Sequence, residues 1–189
     1  MLYHGSSVGG LQELVPALSD HAKPYVYFSS DPVVAAFYTV HRVERPYNWF
    51  PYGFGSAGIP CYTEYYPDAL NDVYGGKAGF LYCCAQSGPL ENPTFINCAL
   101  ASEQAVRPDS VIEIPDMRQW LLEWEQAGEL RIRRFEALTA NERISCDRMI
   151  AMEIEACGLK SQPDSGYAQF LRDRFPKAWA QAGEGEPHF

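Results

Sequence analysis

Two short segments carry side chains that together could recognise a planar ring joined to a sugar. His4 is followed by Gly5 and Ser6. A glycine lets a ligand approach the backbone closely, so that the peptide N–H and C=O can bond a carboxamide. Tyr27 and Tyr38 stand 11 residues apart, and two tyrosines so placed can stack on both faces of a planar ring. These five residues are the candidate binding residues.

A third segment supplies a carboxylate. Glu103, which follows Ser102, could stabilise the oxocarbenium-like cation of a sugar that loses its leaving group, or polarise an attacking nucleophile. Glu64 is the second choice for this role. Each segment taken alone also fits a simpler interpretation, namely a glycine turn, aromatic core residues and a solvated surface glutamate.

The elements predicted around these residues place them at or near the ends of strands. A strand over residues 2–5 ends at His4 and Gly5, and a strand over residues 25–29 carries Tyr27. Asp31 and Pro32 predict the start of a helix that runs to about Val40. The remaining predictions for the first part of the chain are strands over residues 60–66, 79–84, 104–106 and 110–114, a turn over 72–76, and a loop or hairpin arm over 44–60.

The hydrophobic period changes after residue 114, and the rest of the chain is predicted to be mostly helical. Thr139 and Glu142 predict a capping box at the start of a helix that ends near Gly158. Its predicted apolar stripe comprises Ile144, Met149, Met152 and Ala156. The other predictions are a helix over residues 115–128, a half-buried edge strand over 130–135, and a last helix over 165–182 broken near Pro176.

Composition limits the classes of partner. The 189 residues include 15 Lys or Arg and 24 Asp or Glu, and the formal net charge of −9 repels phosphate backbones, so nucleic acid is a less favoured partner. The apolar runs are too short to cross a bilayer, so no membrane association is predicted. The spacing of the six cysteines predicts no metal site. We expect a cytoplasmic protein with reduced thiols, and a secreted protein with disulfides is the alternative.

Taken together, the three segments resemble the ADP-ribosyltransferase-like family, in its His-Tyr-Glu class of poly(ADP-ribose) polymerases and diphtheria-type toxins. The first motif matches residues 3–6 (YHGS) and the third matches residues 102–106 (SEQAV). The second matches residues 25–29 (YVYFS), followed by Tyr38 at the spacing of the family. Ala35 stands where the polymerases usually carry a serine, a residue that many toxin-like members also lack, so the resemblance to the polymerases is weakened more than the resemblance in fold.

The resemblance implies a fold and a division of the chain. The fold would be α+β, a split β-sandwich over residues 1–136, with a helical C-terminal extension over residues 137–189 packed on it. NAD⁺ would be the substrate, and no metal is implied. His4 would form a hydrogen bond with the adenosine-side ribose, and the backbone of Gly5 would hold the nicotinamide amide, within the motif that ends at Ser6. Tyr27 and Tyr38 would stack on the nicotinamide. Glu103 would be the catalytic residue.

The implied function is NAD⁺-dependent transfer of ADP-ribose with release of nicotinamide. An NAD glycohydrolase and an inactive nucleotide- or protein-binding module of the same fold are the alternatives. In this fold the acceptor is usually chosen by a loop beside the catalytic carboxylate, here residues 88–98, which contain no basic residue. We therefore expect a protein, a small molecule or water as the acceptor. The basic cluster that includes Arg131, Arg133 and Arg143 is predicted to form local ion pairs.

Overall fold

The computed structural model describes residues 1–18, 23–40, 52–55, 57–85, 88–94 and 96–183. These residues form an α+β fold, as the sequence predicts. The strands are β1 (Leu2–Ser6), β2 (Ala17–Leu18), β3 (Pro24–Ser29), β4 (Tyr52–Phe54), β5 (Pro60–Thr63), β6 (Gly79–Cys84), β7 (Ala99–Ser102), β8 (Ser110–Ile114) and β9 (Arg131–Arg133). The helices are α1 (Pro32–Ala36), α2 (Ala69–Tyr74), α3 (Met117–Gln126), α4 (Ala140–Ala156), α5 (Gly166–Arg174) and α6 (Pro176–Gln181).

The chain divides into two compact units, and each contains two separate stretches of sequence. The first unit comprises Met1–Val40 and Tyr74–Ala127, and the second comprises His41–Val73 and Gly128–Phe189. This division differs from the boundary expected after residue 136. The reason is that β9 pairs in parallel with β5, from Cys61 beside Arg131 to Thr63 beside Arg133, which joins the two stretches of the second unit.

The first unit is built on a sheet in the order β2-β3-β1-β6-β8, with β7 also paired to β3. Its apolar core includes Leu2, Phe28, Tyr82 and Val106. The end of α1 continues as a 3₁₀ helix over Phe37–Thr39. The sequence places the start of α1 correctly, because Asp31 accepts hydrogen bonds from the backbone N–H groups of the first turn and Pro32 needs no partner there.

The second unit contains a three-stranded sheet in the order β4-β5-β9 and the helices α4, α5 and α6. The predicted hairpin arm is partly described: β4 pairs antiparallel with β5, whereas residues 44–51 lie outside the described residues. The predicted capping box of Thr139 and Glu142 is present in full, and the last helix is broken at Pro176 as expected. β9 lies at the sheet edge, as predicted.

Three predictions of local structure are wrong. Residues 72–74 are not a turn but the last residues of α2, whose Leu70, Val73 and Tyr74 are buried. The strand expected over 104–106 lies earlier, at β7, because residues 99–102 pair with β3 while Val106 makes only an isolated bridge to Leu14. In α4, Ile144 and Met152 of the predicted stripe are exposed, and the buried residues are instead Cys146, Ile150, Ala151 and Ile154.

Candidate functional site

The sheet of the first unit opens between β1 and β3. These two strands share one paired position, Tyr3 beside Ser29, whereas β1 pairs with β6 over all of Leu2–Ser6 and β3 pairs with β7 over four residues. Beyond Tyr3, the main-chain groups of β1 and β3 therefore do not form a continuous ladder. His4 of the first motif and Tyr27 of the second lie at this opening.

The imidazole of His4 bridges the opening. Its Nδ1 lies 2.8 Å from the carbonyl oxygen of Tyr27. A carbonyl can only accept a hydrogen bond, so Nδ1 carries the proton, and Nε2 of the neutral ring is an acceptor. Burial lowers the pKa of His4 below its ordinary value, which keeps the ring neutral near pH 7. The geometry therefore leaves an acceptor nitrogen suited to a hydroxyl donor such as a ribose.

Gly5 is required by the packing of α1 on β1. A Cβ at this position would lie 2.0 Å from the carbonyl oxygen of Ala35, a backbone atom of α1. The sequence suggests that a ligand can approach the backbone closely at this glycine. The structure shows that the glycine also allows α1 to pack closely on β1. Ser6, the next residue, accepts a hydrogen bond from the N–H of Val8 at 3.1 Å through its hydroxyl, and so stabilises the turn after β1.

Replacing Gly5 with alanine is expected to lower the free energy of unfolding by about 1 to 3 kcal/mol, because the new methyl group must displace the backbone of α1. Gly53→Ala is the matched control, since a Cβ there meets no atom of the described residues within 4 Å. Urea unfolding of the two variants and the unchanged protein measures the difference. Equal stability of Gly5→Ala and the unchanged protein would contradict the packing described.

The two candidate stacking residues lie on separate elements that both contact β1. Tyr27 is half-buried on β3, and its ring is 5.7 Å from that of Tyr25 at an interplanar angle of 65°. Tyr38 lies in the 3₁₀ helix and is 38% exposed, while its neighbours Phe37 and Thr39 are buried. The short helix thus turns Tyr38 away from the core.

Glu103 directly follows the last residue of β7. Ser102 pairs with Val26, so the register carried one residue further places Glu103 beside Tyr25. The carboxylate of Glu103 lies 2.5 Å from the ammonium of Lys23, and both side chains are about half exposed. The structure thus joins His4 and Tyr27 by a direct hydrogen bond, and it binds Glu103 to Lys23 rather than to His4.

Glu91 is the residue that the sequence analysis did not single out. Its backbone forms an antiparallel bridge with Ala101, so it lies beside the strand that leads to Glu103. Its carboxylate accepts a hydrogen bond from the phenol of Tyr25 at 2.8 Å and lies 3.7 Å from the ammonium of Lys23. The loop over residues 88–98 was expected to lie beside the candidate carboxylate, and the position of Glu91 agrees with that expectation.

Glu64 is a buried carboxylate that connects two separate segments of the second unit by hydrogen bonds. Its carboxylate is 3% exposed and accepts hydrogen bonds from the N–H groups of Leu70 at 3.0 Å and Phe135 at 3.2 Å. Each oxygen therefore has a backbone donor, and the guanidinium of Arg134 lies 3.8 Å away. We assign Glu64 a structural role.

Members of the predicted basic cluster make local contacts. The guanidinium of Arg133 lies 2.7 Å from the carboxylate of Glu142. The guanidinium of Arg143 lies 4.5 Å from the ring centroid of Phe135 and donates a hydrogen bond to the backbone carbonyl oxygen of Phe135. Arg131 is exposed. The ion pair of Arg133 with Glu142 agrees with the expected local ion pairs, and the contacts of Arg133 and Arg143 stabilise the start of α4.

All six cysteines are free thiols, and Cys83, Cys84 and Cys146 are buried. Burial raises the pKa of Cys146 to about 12 and, together with the charge of Asp109, that of Cys84 to about 11. These two thiols are therefore protonated and act as small apolar side chains.

The described residues show neither a metal-binding cluster nor a membrane-spanning helix. Within them, no group of three His, Cys, Asp or Glu side chains is arranged to hold a metal ion. None of the helices in the described ranges combines the length and apolar character needed to cross a membrane.

Neither a protein-family model, nor a curated protein, nor a solved structure matches the chain.

Proposed function

We propose that the chain is an NAD⁺-dependent ADP-ribosyltransferase whose site is the opening between β1 and β3. The observation that carries the proposal is the hydrogen bond from His4 to the carbonyl of Tyr27, which fixes the tautomer of the imidazole at that opening. This hydrogen bond joins a residue of the first motif to a residue of the second motif. The third motif, with Glu103, follows the strand that pairs with β3.

Each residue is given a role that its environment supports. The acceptor Nε2 of His4 would bind a ribose hydroxyl, and the backbone of Gly5 would bind the nicotinamide amide. Tyr27 and Tyr38 would stack on the nicotinamide. Glu103 would stabilise the positive charge that develops on the ribose when nicotinamide leaves, because a fixed carboxylate lowers the energy of an oxocarbenium-like transition state.

The ion pair between Lys23 and Glu103 favours a second candidate function, a binding module without turnover. A carboxylate already neutralised by an ammonium group stabilises a sugar cation less well. In the transferase, by contrast, the incoming ribose would compete with Lys23 for the carboxylate of Glu103. Breaking this ion pair would cost little free energy, because both side chains are half exposed.

The experiment uses the full chain and NAD⁺ labelled either in the nicotinamide ring or in the adenine. The transferase releases labelled nicotinamide and attaches the adenine label to an added cell lysate. A glycohydrolase releases nicotinamide and leaves free ADP-ribose, and a binding module retains intact NAD⁺. A chain that neither binds nor cleaves NAD⁺ would contradict the proposal.

The affinity for NAD⁺ is expected to fall as the pH is lowered through the depressed pKa of His4. Protonation turns Nε2 from an acceptor into a donor, so it no longer binds a ribose hydroxyl as an acceptor. Because the unfolded chain has the higher pKa for this group, it binds more protons, and stability also falls as the pH drops below 6.5.

Isothermal titration of NAD⁺ between pH 8 and pH 5, with the pH range chosen around the ordinary histidine pKa of about 6.5, measures this effect. His4→Gln, whose side chain does not titrate, is the control and should show a flatter profile. Identical pH profiles for the two proteins would show that His4 does not contact the ligand.

A further inference from the structure

The sheet of the first unit ends at β8, whose outer side has no paired strand among the described residues. The strand order is β2-β3-β1-β6-β8, and β8 pairs with β6 along its whole length. We call the side of Ser110–Ile114 that faces away from β6 the β8 edge. An edge strand presents N–H and C=O groups that a further extended chain can bond. β6 separates this edge from β1 and thus from the opening between β1 and β3.

The apolar side chains of β8 are exposed on both faces of the sheet. Val111 and Ile112 are 41% and 44% exposed, and successive residues of a strand point to opposite faces. Their partners on β6, Tyr82 and Leu81, are buried. The sheet is therefore covered on both faces at β6 and open on both faces beside it at β8. An apolar edge strand of this kind is suited to the addition of another strand.

Two prolines limit the length of the β8 edge. Pro108 lies shortly before the strand, and Pro115 follows it directly. Proline has no N–H group to donate, so a ladder of hydrogen bonds cannot continue through these positions. The edge therefore fits a short extended segment of a partner.

The charge at the β8 edge favours a basic partner. Residues 108–117 contain Asp109, Glu113 and Asp116 but no Lys or Arg, and Glu113 is exposed within the strand itself. The first unit as a whole contains four Lys or Arg and ten Asp or Glu, a formal charge of −6, which attracts cationic groups. A second copy of β8 would bring the same carboxylates and no cation to the interface, so charge disfavours a second copy as the occupant.

We propose that the β8 edge binds an extended, basic segment of a partner protein, which adds a strand to the sheet beside β8. In an antiparallel pair, side chains directly opposite each other lie about 4.5 to 5.5 Å apart. A Lys or Arg opposite Glu113 forms an ion pair, and apolar residues opposite Ile112 and Val111 cover the two exposed faces. The main-chain hydrogen bonds supply affinity, and the side chains supply the preference for a basic and apolar sequence.

The test measures binding of the fluorescein-labelled peptide GSKIVTKGS to the full chain by fluorescence anisotropy, without NAD⁺. In the antiparallel register, its first lysine, isoleucine and valine lie opposite Glu113, Ile112 and Val111. We expect saturable binding that weakens as the salt concentration rises, and no binding of GSEIVTEGS, in which glutamates replace the lysines. Failure of GSKIVTKGS to bind would overturn the inference and leave the proposed function untouched.

Two modified peptides test the main-chain pairing. N-methylation of every second residue of GSKIVTKGS blocks the N–H groups on one edge of the extended peptide and leaves those on its other edge free. Because only one peptide edge faces β8, one of the two alternately methylated peptides is expected to bind about 10²-fold more weakly, and the other should retain its affinity. Equal affinities of these two peptides would overturn the addition of a strand.

Variants of the chain test the side-chain contacts. Glu113→Lys is expected to weaken binding of GSKIVTKGS about 10-fold, whereas Glu123→Lys, the same charge change at an exposed position on α3, should bind normally. Ile112→Thr keeps a strand-forming residue but loses apolar contact, and it should bind about 5-fold more weakly. Circular dichroism checks that each variant is folded. Equal affinities of Glu113→Lys and Glu123→Lys, or a dimer of the chain that excludes the peptide, would overturn the inference.

Discussion

Replacing Glu103 with glutamine is expected to lower the release of nicotinamide from NAD⁺ about 10²- to 10⁴-fold, with little change in stability. Glutamine keeps the shape of the side chain and removes the negative charge that would stabilise the ribose cation. The side chain is half exposed and pairs with Lys23 at the surface, so its replacement removes no buried contact. Nicotinamide release is measured by chromatography at saturating NAD⁺.

Two further variants separate the possible causes of such a loss. Lys23→Gln breaks the same ion pair from the other side, and we expect it to retain turnover because the carboxylate remains. Glu113→Gln removes an equal charge from β8 of the same unit, at a position without a role in the site. Turnover by Glu103→Gln equal to that of Glu113→Gln would exclude Glu103 as the catalytic carboxylate.

The largest expected effect on stability is that of Glu64→Ala in the second unit. The substitution leaves the N–H groups of Leu70 and Phe135 without their acceptor. An unsatisfied buried donor costs about 1 to 3 kcal/mol, so the loss of both bonds is expected to lower the free energy of unfolding by about 3 kcal/mol. Urea unfolding followed by circular dichroism measures this change.

Glu136→Ala is the control for Glu64→Ala, because Glu136 is exposed, and its replacement is expected to change the stability by less than about 0.5 kcal/mol. Glu64→Gln retains one oxygen acceptor and should fall between the two. If Glu64→Ala were as stable as Glu136→Ala, the carboxylate would not hold α2 and the segment before α4 in place.

The parts of the fold that were predictable from sequence are those that a few adjacent residues determine. Asp31 and Pro32 define the start of α1, and Thr139 with Glu142 defines the start of α4, because each cap satisfies backbone donors within its own first turn. Pro176 breaks the last helix for an equally local reason, since proline lacks the N–H that an interior position needs.

The parts that were missed depend on contacts between distant residues. Asn71, Asp72 and the glycines that follow are typical of a turn, yet α2 forms because Leu70 and Val73 are buried and Glu64 binds the N–H of Leu70. Local sequence also does not show which residues after 98 form the strand beside β3. Residues 99–102 pair with β3, and this pairing joins segments about 70 residues apart in the chain.

The candidate site likewise contains residues that the sequence pointed to and contacts that it did not show. Residue types and spacing pointed to His4, Tyr27 and Glu103, but the hydrogen bond between His4 and Tyr27 depends on the placement of β1 beside β3, which local sequence does not show. Glu91 gave no signal in the sequence. It enters the site through its bridge to Ala101, a pairing between a loop and a strand ten residues further along the chain.

The most direct test of the central claim is a crystal structure of Glu103→Gln with NAD⁺, since this variant should bind the substrate and hold it uncleaved. We predict that the nicotinamide ring lies between Tyr27 and Tyr38, with its amide on the backbone of Gly5 and a ribose hydroxyl on Nε2 of His4. NAD⁺ bound away from the opening between β1 and β3, or not bound at all at saturating concentration, would contradict the account.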